Sequence, residues 1–320
     1  MPSLFVGIDV SQAALDICVL PADRSARFDN TPAGHRALAD FLRPFAAAPA
    51  EIRAVVESTG GLELPAALAL EAAGFEVAII KPERARYYAK AAGRLAKTDA
   101  IDARILAQFA GAVPLTIHPL PPEEIRHFRD LLDRRAQLVE MRTMEKNRLA
   151  TAGLKKARLS IEKHIGWIDR EIGALEVELD RRVAESPTWK EIDAVLQSIP
   201  SVGPQTARTL IGQLPELGHV DRKVIAQLVG LAPIANDSGE TEGRRHIVGG
   251  RKQVRNALYM AAISAIRHNP VGKALYTRLR SQGKEAKVAI IAVAHKLLTI
   301  ANAMAKSKTP WRHSIVAGTT

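Results

Sequence analysis

Leu4-Phe5-Val6-Gly7-Ile8-Asp9-Val10 is a short apolar run with one carboxylate near its end, and Ala14-Leu15-Asp16-Ile17-Cys18-Val19-Leu20 follows it as a second strand-like stretch. Phe28 lies close to a third, so the chain opens as a hairpin-rich sheet. Thr31-Pro32 then offers an N-cap followed by proline at the first helical position, which predicts a helix to about residue 45. Residues 52–57 predict a strand, residues 62–73 a helix closed by Gly74, residues 76–80 another strand and residues 82–92 another helix. A last helix over residues 97–108 begins Lys97-Thr98-Asp99-Ala100-Ile101-Asp102-Ala103-Arg104. The order is β-β-β-α-β-α-β-α, a mixed sheet with helices rather than a strict alternation.

Acids fall at telling places in that order. Asp9 ends the first strand and Glu57 the fourth, at neighbouring positions if those strands pair at the sheet centre. Asp99 and Asp102 stand three apart on one helix face, with Cβ atoms about 5–6 Å from each other. Hard carboxylate oxygens at that spacing suit a divalent ion such as Mg²⁺. Each acid alone has a simpler explanation, as a turn residue at a strand end or as a first-turn acid favoured by the helix macrodipole behind an N-cap at Thr98. Together the four occupy the positions at which a ribonuclease-H-like fold carries its metal ligands, a site type that holds two ions about 3.5–4 Å apart for phosphoryl transfer.

A chain of 320 residues, 47% of them hydrophobic, has room for two or three domains with real cores. Cys18 is its single cysteine, which excludes an internal disulfide framework. No basic stretch followed by an apolar one opens the chain, and the apolar runs at residues 257–266 and 288–294 fall short of the roughly 18 residues of a membrane span. A cytoplasmic protein with no membrane role is the expectation. The net charge of +11 is concentrated at one end: residues 240–320 hold fifteen Lys and Arg against Glu240, Glu242 and Glu285. That one-sided footprint predicts nucleic-acid contact through the C-terminal part, whereas a solvated surface needs no such exclusion of acids.

After a proline-bearing linker at 114–122 the sequence becomes charge-dense, with residues 123–149 helical and Ile161, Ile165, Ile168, Ile172, Leu175 and Leu179 spaced 4, 3, 4, 3, 4. This heptad seam, on a segment with near-equal acids and bases, predicts an antiparallel helical arm that self-associates to a dimer or tetramer; packing within one chain is the alternative. Pro187 opens a third region, giving domains at 1–118, 119–186 and 187–320. Ile199-Pro200-Ser201-Val202-Gly203-Pro204 reads as the turn of a helix-hairpin-helix, whose second helix would turn backbone N–H groups toward a nucleic-acid phosphate near Gly203; a tight structural turn is the alternative. Asp237-Ser238-Gly239 lies in a glycine-rich loop with Arg244, Arg245 and Arg251, followed by Lys252 and Arg255, cations that suit phosphate. By residue type alone that loop is equally a polar hairpin.

Ile8-Asp9-Val10, Val56-Glu57-Ser58-Thr59-Gly60, Lys97-Thr98-Asp99-Ala100-Ile101-Asp102-Ala103, the Pro200–Pro204 turn and Asp237-Ser238-Gly239 through Arg255-Asn256-Ala257-Leu258-Tyr259-Met260-Ala261-Ala262 together resemble the DEDD transposases of the insertion-sequence family numbered 110, relatives of the Piv/MooV DNA invertases. The resemblance spans essentially the whole chain. It implies a RuvC-like domain, a coiled-coil arm and a helical C-terminal domain. It implies Mg²⁺ on Asp9, Glu57, Asp99 and Asp102, Ser238 as a nucleophile that forms a phosphoserine link to DNA, and a serine of one subunit meeting the acidic site of another. It also implies a structured bridge RNA that pairs with donor and target DNA. Competing readings are a RuvC-like junction-resolving nuclease that uses metal-activated water, with no need of Ser238, and a non-catalytic RNA-binding scaffold, which leaves the four acids without a role.

Overall fold

The computed structural model describes residues 4–93, 99–115, 117, 119–233 and 246–312, the side chains of residues 99–101 excepted. The chain divides into two compact units, Met1–Pro121 and Pro122–Thr320. In the first, β1 (Leu4–Val10), β2 (Ala14–Leu20), β3 (Arg24–Asp29), β4 (Ile52–Glu57) and β5 (Glu76–Ile80) form one sheet in the order β3-β2-β1-β4-β5. The pairs β1–β2 and β2–β3 are antiparallel, and β1–β4 and β4–β5 are parallel. Ser11 makes the first hairpin: its hydroxyl donates to the Ala14 carbonyl at 2.9 Å and accepts from the Ala14 amide at 3.0 Å.

Helices cover both sides of the central strands, which is why those strands are apolar on both faces. Val6, Ile8, Val10, Ala54 and Val56 pack on α1 (Pro32–Leu42) and α2 (Leu64–Ala72) through Leu38, Leu42, Ala67 and Leu70. On the other face Val55, Ala78 and Ile80 meet α3 (Pro82–Ala91) and α4 (Asp99–Ala112) through Ala85, Leu106 and Phe109. Helix α1 starts where its sequence directs, with Thr31 Oγ1 accepting from the Gly34 amide at 3.2 Å. It stops at Leu42, earlier than residue 45. Pro44 has no amide proton to continue the α pattern, and Arg43–Phe45 tighten into a 3₁₀ turn.

The described elements of the second unit are helices: α5 (Glu123–Thr151), α6 (Lys155–Glu185), α7 (Pro187–Gln197), α8 (Pro204–Gln213), α9 (Arg222–Val229), α10 (Lys252–His268), α11 (Pro270–Ser281) and α12 (Ala286–Ser307). Helix α12 is long and apolar enough to cross a membrane by length and composition, unlike the shorter run anticipated at 288–294. Its Ala289, Val293, Leu297, Leu298 and Ala301 are buried in this unit's own core, so packing accounts for its composition.

Four of the six seam positions, Ile168, Ile172, Leu175 and Leu179, pack within the chain, which is the single-chain alternative for that part of the stripe. Ile168 and Ile172 are buried against Leu138, with Val139, Met141 and Leu175 beside them, and Leu179 joins the main core with Phe128 and Leu132. Two antiparallel helices joined by the short connection Ala152-Gly153-Leu154 satisfy each other's stripe before a second chain is needed. Ile168→Ala is therefore expected to lower stability by about 2–5 kcal/mol. It should do so without changing the molecular mass, as thermal melting and light scattering on one sample will show.

Candidate active site

The acids of the first unit are placed by β1 and its cover. In the β1–β4 ladder Gly7 pairs with Val55 and Ile8 with Val56, so Asp9 and Glu57 follow at the next step on adjacent parallel strands. Side chains alternate along a strand, so Asp9 shares a face with Gly7, and Glu57 shares one with Val55, the face that packs on α4. Gly7 allows that packing. A Cβ there would overlap the Ala103 carbonyl oxygen and the Ala107 amide nitrogen. Two residues earlier, Phe5 lies against Gly111. Helix α4 thus runs opposite to β1, and its first turn, with Asp99 and Asp102, lies toward the Asp9 end of the strand.

Asp9, Glu57 and Asp102 are each half-buried. Among the described residues no three His, Cys, Asp or Glu side chains form a metal-holding group, and the side chain of Asp99 lies outside the described residues. The donor chemistry nevertheless fits a hard divalent cation: the side chains offered are carboxylates, two of them side by side in register and one on the half-buried edge of the facing helix. Cys18, paired with Gly7, is buried beneath α4 against Ala103 and Ala107; burial pushes its thiol up, as suits a packing residue.

In the second unit Ser238, Arg244 and Arg245 lie outside the described residues. The segments that flank them are built closely. Helix α9 ends at Gly230 in the left-handed conformation, φ +75°, and Gly250 (φ +72°) approaches so near that a Cβ on it would overlap the Val229 carbonyl. The Arg251 amide donates to the Leu228 carbonyl at 3.0 Å, and the Arg255 guanidinium donates to the Val229 carbonyl at 3.2 Å and to that of Gly249. The Arg251 guanidinium donates to both oxygens of Glu216, at 2.5 and 2.6 Å. Burial pushes the Glu216 carboxyl up, but the hydrogen bonds from Arg251 together with a backbone hydrogen bond and the charges of Arg251 and Arg129 outweigh it and hold the group below its ordinary range. The chain entering and the chain leaving residues 234–245 are pinned together, and Arg251 and Arg255 do the pinning. Lys252 points outward at the start of α10.

Helices α7 and α8 are joined by a turn in which Ser201 adopts φ +85° and the Val202 amide donates to the Ile199 carbonyl at 2.9 Å. Asn269 Nδ2 holds the Pro200 carbonyl at 2.9 Å, and Gly203 is exposed at the N-cap of α8 with no side-chain cap.

Residues 6–155 match a family model described as a transposase, the DEDD type of IS110, and residues 193–277 match the transposase IS116/IS110/IS902 family. The chain belongs to the IS110 family of transposases. It is similar to the pilin gene-inverting protein of Moraxella bovis, 26% identical over 97% of this chain and 98% of that protein. It is also similar to the insertion element IS110 uncharacterized 43.6 kDa protein of Streptomyces coelicolor, 27% identical over 50% of this chain and 39% of that one. As a member of this family the chain is a transposase, its substrates are DNA, and a divalent metal is implied.

Sequence reading missed Glu63 in this IS110-family chain. Its side chain is buried, the residue only 6% exposed, and it organises the loop that follows Glu57. One carboxylate oxygen accepts from the Thr59 amide at 3.0 Å, the Gly61 amide at 2.9 Å and the Thr59 hydroxyl at 3.2 Å; the other accepts from the Ser58 hydroxyl at 3.1 Å. The spacing Ser58-Thr59-Gly60-Gly61-Leu62-Glu63 has no helix or strand period, so only the folded loop reveals the cradle. Glu63→Ala strands those donors at about 1–3 kcal/mol for each that stays buried. It is expected to raise the divalent-ion concentration needed for cleavage. Glu63→Gln is expected to retain most function, because its carbonyl can still accept from both amides while Ser58 becomes the acceptor for its amide. Metal titrations of the two variants check this.

Proposed function

We propose that this transposase cuts and rejoins the DNA of an insertion sequence with a serine nucleophile, Ser238, supported by Mg²⁺ held on Asp9, Glu57, Asp99 and Asp102 of a RuvC-like unit. The observation that carries the reading is the register of β1, β4 and α4, which directs Asp9, Glu57 and the first turn of α4 to one end of the sheet. When bound by these carboxylates, Mg²⁺ would supply charge stabilisation for the phosphoryl transfer. Ser238 Oγ forms a bond to a backbone phosphorus, one P–O bond to a sugar oxygen of the DNA breaks, and the proton of the serine goes to that leaving oxygen, which becomes a hydroxyl. The phosphoserine ester conserves the energy of the phosphodiester, so the hydroxyl of another strand can displace the serine and reseal DNA without ATP.

The close approach of Gly230 and Gly250 fixes the two flanks of the segment that carries Ser238, which supports the reading. The amides at the start of α8 near Gly203, within a helix-hairpin-helix, and the outward Lys252 suit backbone phosphates. Guidance by a structured bridge RNA and assembly of two or four chains rest on the resemblance of the motifs alone. Ser238→Ala is expected to bind DNA and yet leave no protein attached to cut strands on a denaturing gel, whereas the wild type leaves a labelled adduct. Near-normal cutting by Ser238→Ala would overturn the serine mechanism in favour of a nuclease that uses metal-activated water.

A further inference from the structure

The far end of the helical arm carries a charge pattern that none of the sites above uses. The arm's base is fastened into the main core by Phe128, Leu132, Leu179 and Val183, and its middle by Leu138, Ile168 and Ile172. At about 1.5 Å per residue, the end of α5 at Thr151 stands roughly 28 Å beyond Leu132. Along the base and middle the two helices are neutral or acidic: residues 123–142 hold five acids and five bases, and residues 164–185 hold six acids and three bases. At the tip the balance reverses. Residues 143–163 carry Lys146, Arg148, Lys155, Lys156, Arg158 and Lys163 against Glu145 and Glu162. Glu145 is itself buried and engaged by Arg148 at 2.6 Å and by His164 at 3.4 Å.

Residues 153–160 are all exposed, apolar side chains included. Leu154 is 69% exposed, Leu159 49%, Met144 49% and Trp167 40%. The His164 and Trp167 rings stack at 6.0 Å with 20° between their planes. Arg158 braces the turn by donating to the Leu149 and Ala152 carbonyls at 3.1 and 3.2 Å, so the tip is a formed surface.

We propose that the arm tip is a nucleic-acid-binding surface for a strand with unpaired bases, its lysines taking phosphates and the Trp167 edge taking base faces. Charge decides against a second copy of the same tip, because two such ends would repel, while a polyphosphate strand complements them. Flat apolar surface beside cations is what an unpaired strand presents partners for, since every base has a face to stack and every link a charge. A DNA strand and an RNA loop share this chemistry. The inference rests on the family's action on nucleic acid and is independent of Ser238 and of the four acids.

The test is binding, not cleavage, by the full chain: fluorescence anisotropy with a single-stranded DNA, an RNA hairpin and a blunt DNA duplex, each from 50 to 200 mM salt. The variant Lys155→Glu/Lys156→Glu/Lys163→Glu alters exposed positions only, and a glutamate at the first position of α6 agrees with the helix dipole. With three phosphates no longer neutralised in the variant, that rise in salt should cost the wild type about 20- to 40-fold more affinity than it costs the variant. Trp167→Ala should weaken the strands with unpaired bases by about 5- to 150-fold and the duplex hardly at all. Whichever of the single-stranded DNA and the RNA hairpin shows the larger loss identifies the source of the strand. Unchanged salt slopes on all three probes in a variant with unchanged thermal melting would overturn the proposal. So would a fall in molecular mass with unchanged binding, which would assign the tip to contacts between subunits.

Discussion

Glu57→Gln is expected to lower DNA cleavage by about 10²–10³-fold, because charge stabilisation by bound ions is worth several kcal/mol and each 1.36 kcal/mol is a factor of ten. The substitution keeps the shape of the side chain at the end of β4, so nucleic-acid binding is expected to stay near the wild-type value. Without divalent ion the variant, whose side chain keeps the same size and shape, is expected to melt close to the wild type. With ion, the wild type gains stability as the logarithm of ion concentration over Kd, about 2.7 kcal/mol at a hundredfold excess, and the variant loses most of that gain. Asp9→Asn is expected to behave alike. Thermal melting with and without Mg²⁺, run beside a cleavage assay, checks both halves. Full cleavage with an undiminished ion-induced shift would remove the acids from the metal assignment.

Gly7→Val acts on the same site without touching an acid. Any Cβ at residue 7 overlaps the backbone of α4 at Ala103 and Ala107, and Leu106 Cβ lies 2.8 Å from it, so the helix must move off β1. Overpacking of that kind costs about 1–3 kcal/mol. The functional loss should be larger than the stability loss: a displacement of about 1 Å between groups that act together can cost about 10²-fold. A variant that stays folded by circular dichroism but cleaves at a hundredth of the wild-type rate would match this. Wild-type cleavage would mean that the first turn of α4 need not be held against Asp9.

Much of the first unit was legible along the chain. Its strands are short, apolar and punctuated, and its helices open at Thr31-Pro32 and Pro82 and close by Gly74, so local chemistry and periodicity agree. The placement of Asp9 and Glu57 at strand ends was visible as well, and so was the spacing of Asp99 and Asp102. The arm shows what period cannot decide. A 4-3 stripe states that a helix has an apolar seam and leaves open whether the seam is met by the same chain or another; the return of α6 along α5 answers that, with Ile168 and Ile172 buried against Leu138.

The arginines after the serine loop also take structural partners that residue type does not reveal. Arg251 and Arg255 look like phosphate ligands in sequence, yet their donors go to Glu216, Val229 and Gly249, because two glycine backbones brought face to face leave carbonyls that must be satisfied. Glu63 is the reverse case: an inconspicuous acid whose role exists only once the loop folds over it. The sequence by itself determined the kinds of element, their order and the acids that end them, since those depend on neighbours within a few residues. Tertiary structure alone decided that Gly7 admits α4 to β1, that Asp9 and Glu57 stand side by side, and that the seam closes within one chain. Those facts depend on which distant segments approach, and close packing of the core admits one arrangement of them.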